Sequence, residues 1–285
     1  AIIIPHYNDA IRLARCLEAL APQLRDGVEA IVVDNNSPEP PEVPAPFRLV
    51  IETRKGAAHA RNRGVAETTA DRFFFIDSDC LPDPDWVEVG LEVCTKADLV
   101  GGKVSVFDET APPRSGPEAF ETVFAFDFKR YIEKQGFSGS GNLLTHRAVF
   151  DAIGGFHAGL SEDYDWCQRA RAAGFTLVYA PELRVGHPSR SDWPALRTKW
   201  RRVTLESFGL LGSGWRDRLR WTLRALAMPL SILLHMPRVL RADALHLQLV
   251  CQVAQAPLEL RQILDHRLDI VHGGKEVAAE AEEPR

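Results

Sequence analysis

The chain has 285 residues, enough for one large domain or a domain with a smaller appendage. It is 45% hydrophobic and 26% charged, an ordinary globular composition, and its formal net charge of −5 gives no general attraction to nucleic acid, which is not an expected partner. The five cysteines (Cys16, Cys80, Cys94, Cys167 and Cys251) are scattered without a Cys-x-x-Cys pair, which argues for a reducing compartment and against a zinc site or a disulfide framework.

Ala1–Pro5 is a short apolar run, and His6-Tyr7-Asn8-Asp9 opens a loop in which Asp9 is placed to cap a helix. Leu13, Leu17, Leu20 and Leu24 then recur at helical spacing. A second strand over 29–34 ends in Asp34, a turn and a proline-rich loop follow, and Phe47–Ile51 reads as a third strand. Gly56–Thr69 reads as a helix with one small face, carrying Arg61 and Arg63 near its start.

Residues 72–79, Arg-Phe-Phe-Phe-Ile-Asp-Ser-Asp, are the centre of the pattern. The apolar run reads as a buried strand, and Asp77 and Asp79 leave its carboxyl end, where open α/β sheets hold their ligands. Two carboxylates so placed suit Mg²⁺ or Mn²⁺ bound together with substrate phosphates. They equally suit an acidic turn that caps the next helix. Cys80 beside them is read as a packing residue. A helix from Trp86 to Lys96 and a strand over 98–107 complete four alternations of strand and helix, the pattern of a doubly wound sheet. A dinucleotide-binding domain would place Gly-x-Gly-x-x-Gly after the first strand, and Pro-His-Tyr-Asn-Asp stands there instead.

A proline and glycine loop over 108–117 leads to an aromatic helix spanning Phe120–Tyr131. Gly136 to Asn142 is a glycine-rich loop that would let backbone approach a ligand. A short strand and helix over 143–153 follow, and then Ser161, an N-cap for a helix over 162–173 with Glu162, Asp163 and Asp165 in its first turn. A strand over 175–180 precedes Val185-Gly186-His187-Pro188, where His187 is a candidate third metal ligand.

Taken in order, Pro5-x-Tyr7-Asn8, Val33-Asp34, Gly56 through Ala60-Arg61-Asn62-x-Gly64, Asp77-Ser78-Asp79, Gly141-Asn142, Gly154-Gly155-Phe156, Glu162-Asp163 with Trp166, and His187 resemble the inverting family 2 glycosyltransferases. The resemblance covers roughly residues 1–190. It implies the GT-A fold, a doubly wound, mostly parallel sheet with helices on both faces. It also implies a nucleoside-diphosphate sugar donor, a glycan or lipid-linked acceptor of cell-surface polysaccharide assembly, and Mn²⁺ or Mg²⁺ as cofactor. By the same resemblance Pro5, Tyr7, Asn8 and Arg61 surround the nucleotide, and Asp34 contacts the base or ribose. Asp79 and His187 bind the metal, Asp77 reaches the ribose or the metal through water, and Asn142 lies near donor sugar or acceptor. Asp163, with Glu162 before it, is the general base. The Gln-x-x-Arg-Trp of the processive synthases is missing, and Arg197 to Arg202 does not match it, so a single-sugar transferase is expected. A sugar-nucleotide pyrophosphorylase and an inactive binding protein on the same scaffold are the competing readings. The first would want a glycine-rich activating loop after the first strand; the second would have lost the acidic residues that stand here.

Residues 191–272 read as a helical appendage and 273–285 as a disordered tail. Residues 184–224 hold ten Lys or Arg against three Asp or Glu, together with Trp193, Trp200, Trp215 and Trp221. The apolar run Leu223–Leu234, read as broken by Pro229, is too short to span a bilayer. It suits either an anionic membrane surface or the core of an ordinary helical appendage. The amphipathic pattern over 238–270 offers a homodimer face. The expected location is cytoplasmic, at the inner face of the cell membrane where it is peripheral.

Overall fold

The computed structural model describes residues 1–159, 161–209 and 214–241. The described residues divide into two compact units, the first formed by Ala1–Glu109 and Phe124–Ser189, the second by Thr110–Val123 and the described residues after Ser189.

The first unit is built on an eight-stranded sheet: β1 (Ile2–His6), β2 (Ala30–Asp34), β3 (Arg48–Ile51), β4 (Arg72–Ile76), β5 (Leu81–Pro82), β6 (Leu99–Phe107), β7 (Asn142–His146) and β8 (Leu177–Pro188), in the order β3-β2-β1-β4-β7-β6-β8-β5. Strands β3, β2, β1 and β4 are parallel, as are β6 and β8. Between these blocks β7 runs antiparallel to both neighbours, with Arg72 opposite His146 and Leu99 opposite Thr145. Six of the eight strands therefore point the same way, the mostly parallel sheet expected, and β7 and β5 are the two that run against them. The glycine-rich loop returns the chain against the direction of β4, a pairing set by tertiary contact and invisible to local pattern.

Strand alternation sorts the core into two layers. Ile2, Ile4, Phe74 and Ile76 point to one face and pack with Leu13, Leu17 and Leu20 of α1 (Ala10–Leu20) and Trp86 and Val87 of α3 (Trp86–Val93). Ile3, Phe73 and Phe75 point to the other. There they meet Ala58, Ala60 and Val65 of α2 (Ala57–Ala66), Val149 and Phe150 of α6 (Arg147–Ile153), and Trp166, Cys167 and Ala170 of α7 (Glu162–Ala172). The small face of α2 lets it lie against the sheet: a Cβ on Gly64 would stand 2.4 Å from Ile3 Cγ2.

The aromatic segment is not one helix. It divides into α4 (Gly116–Phe124), a short α5 (Phe128–Arg130) whose N-cap Asp127 accepts from the Arg130 N–H, and a wide turn over Tyr131–Gln135. Strand β8 is also longer than its apolar core suggests. Its pairing with β6 skips from Ala180 to Arg184 and resumes through His187 opposite Val106. His187 is thus a strand residue, held by a bulge that local sequence did not reveal.

In the second unit, α8 spans Trp193–Gly209 and α9 spans Trp215–Arg241. Helix α9 continues through Pro229, so the break expected there does not occur; each proline removes a donor without ending the helix. Glu121 of α4 is buried and paired with Arg190 and with Lys199 of α8. Of the amphipathic pattern expected over 238–270, the part after residue 241 lies outside the described residues, as do the tail and Cys251. No described helix is long and apolar enough to cross a membrane.

Candidate active site

Parallel register aligns the exits of β1, β2 and β4. His6 stands opposite Asp34, and Ile3 opposite Phe75, so Tyr7-Asn8, Asn35-Asn36-Ser37 and Asp77-Ser78-Asp79 all leave along one edge. Asn8 and Asn36 turn the first two exits in the left-handed region, at φ 49° and 61°, a conformation asparagine tolerates better than most residues. Tyr7 and Asn8 are exposed there, whereas Pro5 is buried inside β1.

Asp34 is buried, and both of its oxygens are engaged inside the protein. Oδ2 accepts from the Ser37 N–H at 3.0 Å and Oδ1 from the Ser37 hydroxyl at 2.6 Å. His6 Nε2 accepts from the Asp9 N–H at 3.1 Å, so His6 Nδ1 carries the proton it donates to Asp34 Oδ1 at 2.9 Å. Asn8 N–H then donates to Ser37 Oγ at 2.8 Å. Asp34 thereby ties the two exit loops together. His6 and Ser37 were not singled out from sequence; only the register that pairs β1 with β2 makes them neighbours.

Asp79 and His187, 108 positions apart, meet at the other side of this edge, with His187 Nε2 3.3 Å from Asp79 Oδ2. His187 Nδ1 lies 2.7 Å from the Pro188 carbonyl, to which it must donate. In the neutral ring the Nε2 lone pair therefore faces a carboxylate oxygen, an arrangement that calls for a proton or a cation between them. Backbone-oriented imidazoles of this kind are common among metal ligands, so the residues fit a hard divalent ion. Asp77 does not join them: its Oδ1 accepts from Arg61 Nη2 at 2.7 Å. Among the described residues no group of three or more His, Cys, Asp or Glu side chains could share an ion.

Arg61, expected near the nucleotide, makes its contacts within the protein. It is buried against the sheet, and besides Asp77 its guanidinium binds Glu162 Oε1 through Nη1 at 2.5 Å. Arg61 Nε is sealed without a hydrogen-bond partner, and the guanidinium lies 5.9 Å over the Phe156 ring. One arginine on α2 thus joins the acidic exit of β4 to the first turn of α7. Burial pushes the Glu162 carboxyl up, against the pull of Arg61, and the charge of Asp163 adds to the rise. Burial likewise pushes the Asp163 carboxyl up; Arg61 and the neighbouring Ser140 oppose it. Asp163 Oδ1 and Ser140 Oγ are both sealed from solvent, with Ser140 beside the Asp163 carboxyl. Ser161 occupies the N-cap position of α7, but its side chain makes no capping bond.

The glycines of the loop before β7 make room for these carboxylates. A Cβ on Gly141 would come 2.8 Å from Asp77 Oδ2, and one on Gly139 would be 2.8 Å from the Phe128 ring and 3.7 Å from Asp163 Oδ2. Asn142 does not reach toward a sugar. It is fully buried, its Oδ1 accepts from the Trp86 indole at 3.0 Å, and its Nδ2 donates to the Lys103 and Leu183 carbonyls. It pins β7, β6, β8 and α3 together beneath the site. Cys80, also buried, is a packing residue whose thiol is pushed well up, first by burial and then by the charges of Asp79 and Asp77.

A mixed sheet with an acidic strand exit and an acidic helix start beside it is the architecture of the GT-A fold. The model of glycosyl transferase family 2 matches residues 1–161, and the chain belongs to that family. Glycosyltransferase AglE of Haloferax volcanii is 30% identical over 218 residues, covering 70% of each chain. The pre-mycofactocin glycosyltransferase of Mycobacterium tuberculosis is 30% identical over 68% of this chain, which spans 44% of that protein. Among solved structures, the mannosyltransferase PcManGT of Pyrobaculum calidifontis, in complex with GDP-Man and Mn²⁺, superposes with a TM-score of 0.51 at 18% identity over 95% of this chain and 79% of its own. GalNAc-T7, with UDP, GalNAc and Mn²⁺, gives 0.52 at 16% identity over 67% and 44%. At those identities the likeness is one of fold.

Proposed function

We propose that the chain transfers one sugar from a nucleoside-diphosphate sugar to an acceptor hydroxyl, with inversion at the anomeric carbon. The observation that carries this reading is the half-buried Asp163, its Oδ1 sealed from solvent, on a helix start tied by Arg61 to the acidic exit of β4. A carboxylate raised toward neutrality is a better proton acceptor than an ordinary aspartate. Asp163 takes the acceptor hydroxyl proton as the oxygen forms its bond to the anomeric carbon and the bond to the diphosphate breaks. One base and no protein nucleophile make this a single in-line displacement. Asp79 and His187 would hold the divalent ion, Mn²⁺ or Mg²⁺, which supplies Lewis-acid neutralisation of the departing diphosphate. Mn²⁺ in both structural neighbours supports the choice of ion. Tyr7 and Asn8, exposed at the β1 exit, would line the nucleotide, with Asp34 holding their loop in place. The acceptor we infer is a glycan or lipid-linked intermediate, reached by an enzyme peripheral to the cytoplasmic side of the membrane. One relative, 25% identical over 68% of this chain, is named glucosyl-dolichyl phosphate glucuronosyltransferase.

The test is calorimetric titration of UDP, GDP and dTDP with and without Mn²⁺, on the wild type and on Asp163→Asn. Metal-dependent binding of one nucleotide, kept in Asp163→Asn while transfer is abolished, is the expected result. Full turnover by Asp163→Asn would remove Asp163 as the base. Failure of every nucleotide to bind would overturn the donor assignment.

A further inference from the structure

Helix α9 carries apolar residues on more of its surface than the fold uses. Trp215, Leu219, Leu223, Leu226, Leu230, Leu233 and Leu234 are all between 48% and 72% exposed. At 3.6 residues per turn they fall within an arc of roughly 100°, a single stripe about 29 Å long. The half-buried Trp221, His235 and Met236 lie on the other half of the helix, so the stripe is not the face turned inward. Charge is arranged around it. Arg216 and Arg220 border one edge, Arg218 borders the other, all three are exposed, and Asp217 is the one acidic residue of the helix.

We infer that this stripe is a membrane-docking surface that seats α9 in the interface of a bilayer containing anionic lipid. A long apolar stripe edged by arginines, with a tryptophan at its start, is the pattern of a helix lying in the plane of the headgroups. The leucines enter the acyl boundary, and the arginines reach back along their own stems to the phosphates. The basic edges choose among possible occupants, because a second copy of α9 would set arginine edges against arginine edges. This docking deepens the reading above, resting on it for the reason a transferase would sit at a membrane.

Co-sedimentation of the full chain with vesicles tests it, using phosphatidylcholine alone and phosphatidylcholine mixed with phosphatidylglycerol, each at low and high salt. The wild type should sediment with the anionic vesicles at low salt and be released in part by high salt. Leu223→Glu, Leu226→Glu and Leu230→Glu together should lower bound protein by about tenfold or more at either salt. Arg216→Gln, Arg218→Gln and Arg220→Gln together should remove the preference for anionic lipid, and this set keeps the proposal testable if the glutamate set misfolds. Absence of wild-type binding at low salt would overturn the proposal. So would unchanged binding of the glutamate set, or a wild-type dimer in sedimentation velocity that the glutamate set dissociates. Nucleoside-diphosphate binding with Mn²⁺ is read on the same samples. Its loss with vesicle binding intact would sink the transferase reading and leave the docking surface standing.

Discussion

Removal of Arg61 separates the site as built here from one in which this arginine meets the nucleotide. In Arg61→Gln, Asp77 and Glu162 lose their shared cation. Breaking a fully buried ion pair costs about 3–5 kcal/mol, but these carboxylate side chains are 34% and 25% exposed, so solvent recovers part of that. The expected loss is about 2 kcal/mol in urea unfolding. The kinetic consequence runs through Asp163. Burial raises its pKa and Arg61 is the largest influence against that rise, so the variant lifts it further. Because the base works ionised, the rate falls as pH drops through this value. The acid limb of the pH–rate profile should therefore lie above the ordinary aspartate range in the wild type and move higher in Arg61→Gln. Arg61→Lys, with one point charge in place of a two-sided fork, should restore only part of either quantity. Unchanged stability and an unmoved acid limb, with nucleoside-diphosphate affinity lost, would place Arg61 against the nucleotide instead.

Asn142→Ala orphans the Trp86 indole and the Lys103 and Leu183 carbonyls, so it should cost about 3 kcal/mol in urea unfolding while nucleotide affinity holds; the opposite pattern would place Asn142 against the donor. Gly64→Ala pushes a methyl against Ile3, a fully buried strand residue with no room to swing away, and a loss of about 1–3 kcal/mol is expected from the unfolding midpoint. For His187→Ala, Mn²⁺-dependent nucleotide affinity by calorimetry should fall about tenfold or more, with metal-free binding unchanged. Equal binding in the presence of Mn²⁺ would dismiss His187 as a ligand.

Most of the first unit could be read from sequence because its information is local. The apolar runs at 2–5, 30–34 and 73–76, the leucine stripe of α1 and the small face of α2 each state their own period, and four alternations imply helices on both faces. The elements that escaped are those whose conformation depends on distant chain. Nothing within 142–146 says that this strand lies antiparallel between β4 and β6. Nothing in 181–183 announces the bulge that carries β8 on to His187. The aromatic segment around 120–131 has the composition of one helix, yet Asp127 caps a new one within it.

The same division holds at the site. The order of the motifs, and the resemblance it carries, made Asp77, Asp79, Glu162, Asp163 and His187 candidates, although an acidic first turn is by itself common in helices. Which of them touch was decided by tertiary structure. Asp79 meets His187, Asp77 turns to Arg61, and Arg61 also reaches Glu162 because the close seat of α2 buries it between these carboxylates. Asp34 and Asn142 hold the frame from within, since burial leaves a polar group no choice but an internal partner. Sequence therefore determined the chemical vocabulary of this protein. Its tertiary structure determined which of those groups meet, because register and burial, not local order, bring Arg61 to Asp77 and Glu162 and Asp79 to His187.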